Sequence, residues 1–187
     1  MPPFGKTWRI LNMANRPMET HIQSHIYYPT IEDVKSRITL ALLELYRHDF
    51  ELFDIEVNER SITHKLAEYL QWQFPYWHVD CEYNRREEKK KKLEEERVFP
   101  DIIVHRRRTG HNLLVIEVKK GGGSSKEDIN KLRRFIKTPE YLYRYGVFLA
   151  LGAKGCKKAI LIRNDYKKTD WTDEIQRPLK ELGHGRL

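Results

Sequence analysis

Apolar positions along this chain recur in two rhythms. Ile31, Val34, Ile38, Leu42 and Leu45 return at three- and four-residue steps, which places them on one stripe of an amphipathic helix. Leu40, Leu43 and Tyr46 broaden that stripe, Thr30 after Pro29 is placed to cap it, and the helix is expected to end near His48. A second helix is predicted from Asn58 to about Gln73, with Ile62, Leu66, Tyr69 and Leu70 buried and Glu59, His64 and Glu68 elsewhere on its surface. The link between them, Phe53 to Val57, reads as a brief strand or turn. A third helix, Lys126 to Lys137, would bury Ile129, Leu132, Phe135 and Ile136. A short closing helix begins at Thr172-Asp173-Glu174, with Pro178 and Gly183 limiting its length.

The other rhythm is that of strands. Trp77 to Tyr83 alternates, with Trp77, Val79, Cys81 and Tyr83 facing inward. Two β-branched runs, Val98 to Val104 and Leu113 to Lys119, flank a polar connection containing Gly110 and read as a β-hairpin. Tyr145 to Leu151 suits a buried strand, Gly152-Ala153-Lys154-Gly155 supplies a turn, and Lys158 to Arg163 forms a further strand. The order is helix, helix, three strands, helix, two strands and a closing helix, an α/β layered domain around a mixed sheet.

Charges interrupt the central hairpin where a buried strand does not normally carry them. Asp101 opens its first run, and Glu117 and Lys119 close its second. Strand side chains alternate, so Glu117 and Lys119 share one face while Ile116 and Val118 share the other. Antiparallel pairing brings Asp101 beside Glu117, and two carboxylates with a lysine converge at one end of the sheet. Close carboxylates repel and raise one pKa unless a cation sits between them. A hard divalent ion with oxygen ligands is the natural occupant.

Pro100-Asp101 followed by Glu117-Val118-Lys119 resembles the PD-(D/E)xK nuclease superfamily in residue types, spacing and strand context. The resemblance runs from about Thr30 onward and implies a restriction-endonuclease-like fold, a mixed β-sheet core flanked by helices. It also implies a metal-dependent phosphodiesterase acting on DNA. Asp101, Glu117 and the Val118 carbonyl would hold Mg²⁺, with Mn²⁺ as a substitute, and Lys119 would activate or orient the attacking water. In that family a carboxylate on the first core helix often completes the metal site. Glu59 resembles that placement, with Glu56 as the fallback and a plain helix-dipole role as the alternative. Asp128 with Lys131-Leu132 resembles a D-x-x-K-L pattern seen on the helix after the E-x-K strand. Lys131 would then hold a phosphate as a point charge, or else pair with Asp128. Lys120 and Arg134 are the other candidate nucleic-acid contacts.

Composition narrows the partner. A net charge of +8 over 187 residues, with a pI near 9.4, favours a polyanion, nucleic acid first. Cys81 and Cys156 lack metal-ligand spacing and argue against a zinc site or a disulfide framework, which fits a reducing cytoplasm. No apolar run has the length of a membrane helix, and no signal-peptide pattern opens the chain. Residues 1–28 read as a loosely attached basic arm, within which Met13 or Met18 is an alternative start. Residues 29–187 form the domain, carrying a charged insertion at about 84–97. Gly121-Gly122-Gly123-Ser124-Ser125 is a flexible connection without the Gly-Lys-Ser/Thr ending of a P-loop. His64, His105 and His111 are unneeded by this chemistry. The competing expectation is a catalytically silent member of the same fold that binds nucleic acid or assembles with a protein partner. One site per chain would leave cutting of both strands to a homodimer or to two encounters.

Overall fold

Capped helices and alternating strands assemble here around one sheet. The computed structural model describes residues 26–54, 58–82, 99–122, 126–165 and 167–184. Helix α1, Ile31–His48, starts with a reciprocal capping box: the Thr30 hydroxyl accepts from the Asp33 amide and the Asp33 carboxylate accepts from the Thr30 amide at 2.9 Å. Its buried face is Val34, Ile38, Ala41, Leu42, Leu45 and Tyr46. Leu40 does not join that face and is 46% exposed.

Of the link predicted as a strand or turn, Phe53 and Asp54 instead complete a single helical turn, α2, Glu51–Asp54, and residues 55–57 lie outside the described residues. Phe53 from this turn stacks on Tyr46 with ring centroids 4.5 Å apart, so local burial decides its shape. Helix α3, Glu59–Gln73, is capped by Asn58, whose side-chain oxygen accepts from the Arg60 amide.

The sheet has six strands in the order of the chain: β1 (His78–Cys81), β2 (Ile102–His105), β3 (Asn112–Lys120), β4 (Tyr145–Gly152), β5 (Gly155–Arg163) and β6 (Lys168–Asp170). All neighbouring pairs are antiparallel except β3 and β4. A parallel pair needs a long crossover, and α4, Lys126–Lys137, supplies it. Helix α5, Thr172–His184, closes the chain.

Alternation along the strands separates two cores. Leu114, Ile116 and Val118 of β3 face α1, α3 and α5 together with Val147, Leu149 and Leu151 of β4. Val115 faces the other way, into a smaller cluster with Phe148 and Ala150 of β4 and Ile129, Leu132, Phe135 and Ile136 of α4. The result is a mixed α/β domain with an open, mostly antiparallel sheet and helices on both faces. Gly146 lets α4 lie close to β4, since an added Cβ there would meet Ile136 Cδ1 at 3.0 Å.

Several boundaries differ from the sequence reading. Ile26 and Tyr28, assigned to the arm, already pack against the core. The first strand of the hairpin starts at Ile102 and not at Val98, and β5 starts at Gly155 because the β4–β5 turn is tighter than predicted. Strand β6, too short to show an alternation, was not anticipated. Helix α5 continues through Pro178. An interior proline costs about 3 kcal/mol, and burial of Trp171, Ile175 and Leu179 against the sheet holds both halves of the helix in place. Tyr83, Val98 and the charged insertion at 84–97 lie outside the described residues, as does Glu56.

Thr30→Ala removes the acceptor of the capping box. It is expected to lower unfolding free energy by about 1 kcal/mol, read as a lower urea midpoint with an unchanged slope.

Candidate functional site

Three parts of the fold, the entry to β2, the end of β3 and the first turn of α3, deliver the side chains of the proposed constellation to one end of the sheet. Asp101 sits one residue before β2. Because Ile102 pairs with Ile116, continuing that register places Asp101 opposite Glu117. One Asp101 carboxylate oxygen accepts the Val118 amide at 2.8 Å, which fixes the acid against the neighbouring strand. Glu117 and Lys119 follow Val115 on the face toward α4, as the pleat requires.

Glu117 is the unusual residue. It is 1% exposed, in the middle of the strand run Leu113 to Val118. Its Oε2 accepts from Lys131 Nζ at 2.7 Å, and its Oε1 is buried without a hydrogen-bond partner. Burial, followed by the charge of Asp101, pushes its pKa up to about 8 despite the Lys131 ammonium. Asp101 is also raised, chiefly by burial and further by Glu59, against the opposing pull of the Val118 amide, Lys131 and Lys119.

Glu59, in the first turn of α3, reaches this end of the sheet from the opposite helical layer. It accepts Lys119 Nζ at 3.2 Å and the Lys120 amide at 2.8 Å. The sequence reading paired Lys119 with Asp101 and Glu117; the structure gives it a direct partner in Glu59. Burial alone would depress the Lys119 pKa, but Glu59, Asp101 and Asp128 together outweigh it and hold the ammonium above its ordinary value.

Four acids, Glu59, Asp101, Glu117 and Asp128, thus act on two lysines, Lys119 and Lys131. Acids thus gather at one place in a protein that is positive overall. Among the described residues, no three His, Cys, Asp or Glu side chains are gathered closely enough to hold a metal ion between them. The oxygen donors nevertheless fit a hard divalent cation in one respect: Glu117 Oε1 is a buried acceptor with nothing to accept from.

The other candidates are placed as follows. Lys131, expected at a phosphate or beside Asp128, is directed at Glu117. The Lys120 backbone is bound to Glu59, and Arg134 lies exposed on α4. His105 pairs with Asp80 at 2.7 Å and His111 with the Tyr28 hydroxyl at 2.6 Å, both toward the other end of the sheet, while His64 is exposed. Cys156 is buried, and burial pushes its thiol up to about 12, so it is no nucleophile at neutral pH.

A carboxyl with a raised folded pKa favours the folded state while it stays protonated. Between the ordinary glutamate value of 4.5 and the folded value of about 8, the folded chain holds a proton that the unfolded chain has shed, so stability falls as pH rises through that window. Glu117→Gln, neutral throughout, should flatten this dependence. In chelator-containing buffer the variant should gain on the parent from pH 5 to pH 8, by on the order of 1 kcal/mol per pH unit, in urea melts.

No protein-family model matches the chain. No curated protein matches it closely enough to count as a relative.

Proposed function

We propose that this protein is a metal-dependent nuclease that hydrolyses phosphodiester bonds in DNA, built on a restriction-endonuclease-like fold. One observation carries the reading: a buried carboxylate on the central strand, with an unpartnered oxygen, lies beside a second acid and near a lysine two residues along the same strand. Structural needs alone do not explain such a group, because a buried, strongly perturbed carboxyl destabilises the fold that carries it. The fold reading is supported by the helix that directly follows the Glu117-Val118-Lys119 strand and by the antiparallel hairpin that brings Asp101 and Glu117 together.

Asp101, Glu117 and the Val118 carbonyl are the groups that would hold Mg²⁺, with Glu59 completing the set if it releases Lys119. When bound, the ion supplies Lewis-acid stabilisation of a nonbridging phosphate oxygen and lowers the pKa of an attacking water. Lys119 then orients that water or stabilises the charge developing on the phosphate. Its hold on Glu59 keeps the ammonium charged and pointed at the site. Lys131 is the counter-charge that a bound cation would replace beside Glu117, and its displacement would present a second ammonium to the substrate. Exposed Arg134 and the basic balance of the chain favour approach of a polyanion.

The same ion pairs favour a second reading. With Glu59 held by Lys119 and Glu117 by Lys131, the site is already neutralised internally, as a catalytically silent module that binds nucleic acid or assembles with a partner would have it. Turnover separates the two. The purified protein should nick plasmid DNA with Mg²⁺ or Mn²⁺, stop on chelation, and lose at least about 100-fold in rate in Asp101→Asn, Glu117→Gln and Lys119→Gln. Robust cutting by all three variants refutes the assignment. A melting-temperature rise with Mn²⁺ that vanishes in Asp101→Asn supports metal binding. No rise and no cleavage, with salt-sensitive DNA binding retained, leaves the silent module.

A further inference from the structure

At the end of the sheet away from the carboxylates, arginines lie on aromatic rings. The Arg106 guanidinium sits over Trp77 at 5.6 Å, Arg37 over Phe74 at 5.4 Å and Arg144 over Tyr28 at 5.1 Å. Topology gathers them. Trp77 precedes β1 and Arg106 follows β2, whose ends pair through His78 and His105. Arg144 precedes β4 and donates its amide to the Asn112 carbonyl at the start of β3. Arg37 of α1 donates to the carbonyl of Gln73 at the end of α3. Two of the pairs, Arg37 with Phe74 and Arg106 with Trp77, line a cleft of about 200 Å³ together with Tyr27 and Tyr76, and Arg144 lies outside that lining. The rim of the cleft is open, with Tyr76 81% and Tyr27 66% exposed.

Internal chemistry compensates these cations only in part, through the charge of Asp33 near Arg37. Among the described residues, none of Arg37, Arg106 and Arg144 takes part in an ion pair. The nearby acids are committed elsewhere: Asp33 to Thr30 and the Tyr27 hydroxyl, Asp80 to His105 and Arg107. Arg106 Nε is buried with no hydrogen-bond partner.

We infer that this cleft binds single-stranded nucleic acid, seating one base among the rings while the arginines take the adjoining phosphates. A guanidinium resting on a ring keeps its other face for stacking and its N–H edge for an anion. Rings that accept any base, interleaved with cations that follow the backbone, are the physical requirement for holding a single strand. The volume lies below the roughly 300 Å³ at which drug-sized pockets begin, so it suits one ring system and not an extended ligand. The anionic requirement favours a polynucleotide over an apolar protein surface. This site stands independently of the nuclease reading: four residues of β3 lie between Asn112 and Glu117, which puts them about 17 Å apart along the strand.

The test is fluorescence anisotropy with a labelled oligo-dT strand and a duplex of equal length, in chelator so that no cleavage intervenes. Tyr76→Ala and Arg106→Gln should each weaken single-strand binding at least about fivefold, the low end for loss of one stacked base. Tyr76→Phe should bind like the parent. Tyr76 is exposed enough for its variants to fold, which the unfolding midpoint verifies. Unchanged affinity in Tyr76→Ala, or equal losses on single strand and duplex, overturns the proposal. Because no metal is present, its outcome does not depend on whether the carboxylate site cuts.

Discussion

Placing an acid in the interior of the central strand is the constraint to which the rest of this fold responds. Glu117 follows Val115 and Ile116 in a run that is otherwise apolar, and its burial costs several kcal/mol unless it is neutralised. The surrounding elements supply the compensation: Lys131 from α4 at one oxygen, proximity to Asp101 favouring a retained proton, and the Val118 amide binding Asp101 itself. Glu59 reaches the same end of the sheet from the opposite helical layer and ties Lys119 and Lys120 to it. The acid is therefore embedded in a network whose members come from α3, β3, α4 and the residue entering β2, and displacing one alters the charge felt by the others.

The sheet gives the molecule two chemically unlike ends. Where β3 finishes, acids outnumber lysines; where it begins, arginines outnumber available acids. The same strand directions produce both, since β1 to β4 place their turns and entries alternately at one end and the other. A protein with a net charge of +8 can thus hold an acid-rich pocket without losing long-range attraction for a polyanion.

Much of this was legible from side-chain types. The α1 stripe and its Thr30 cap, the α3 stripe and the hairpin carrying Asp101 and Glu117 follow from periodicity and capping, which are local properties. The shared face of Glu117 and Lys119 follows from the pleat. What periodicity does not encode is which distant groups meet. The pairing of Lys119 with Glu59 and of Lys131 with Glu117 depends on how α3 and α4 lie across the strands. Phe53 reads as β-prone until the ring of Tyr46 is available to stack on it, and Pro178 reads as a stop until the burial of Ile175 and Leu179 is counted. The arginine-aromatic end was invisible for the same reason: Arg37, Trp77, Arg106 and Arg144 are scattered along the sequence and converge only through strand order.

Cover on the two faces of the sheet is unequal. Three long helices shield one side, whereas the twelve residues of α4 shield the other, anchored by Ile129, Leu132, Phe135 and Ile136. Thinly held elements are the first to open in local fluctuations. Any excursion that lifts α4 would carry the Lys131 ammonium away and admit solvent to Glu117 in the same movement, so the surroundings that set this carboxylate's charge are tied to the position of a single helix.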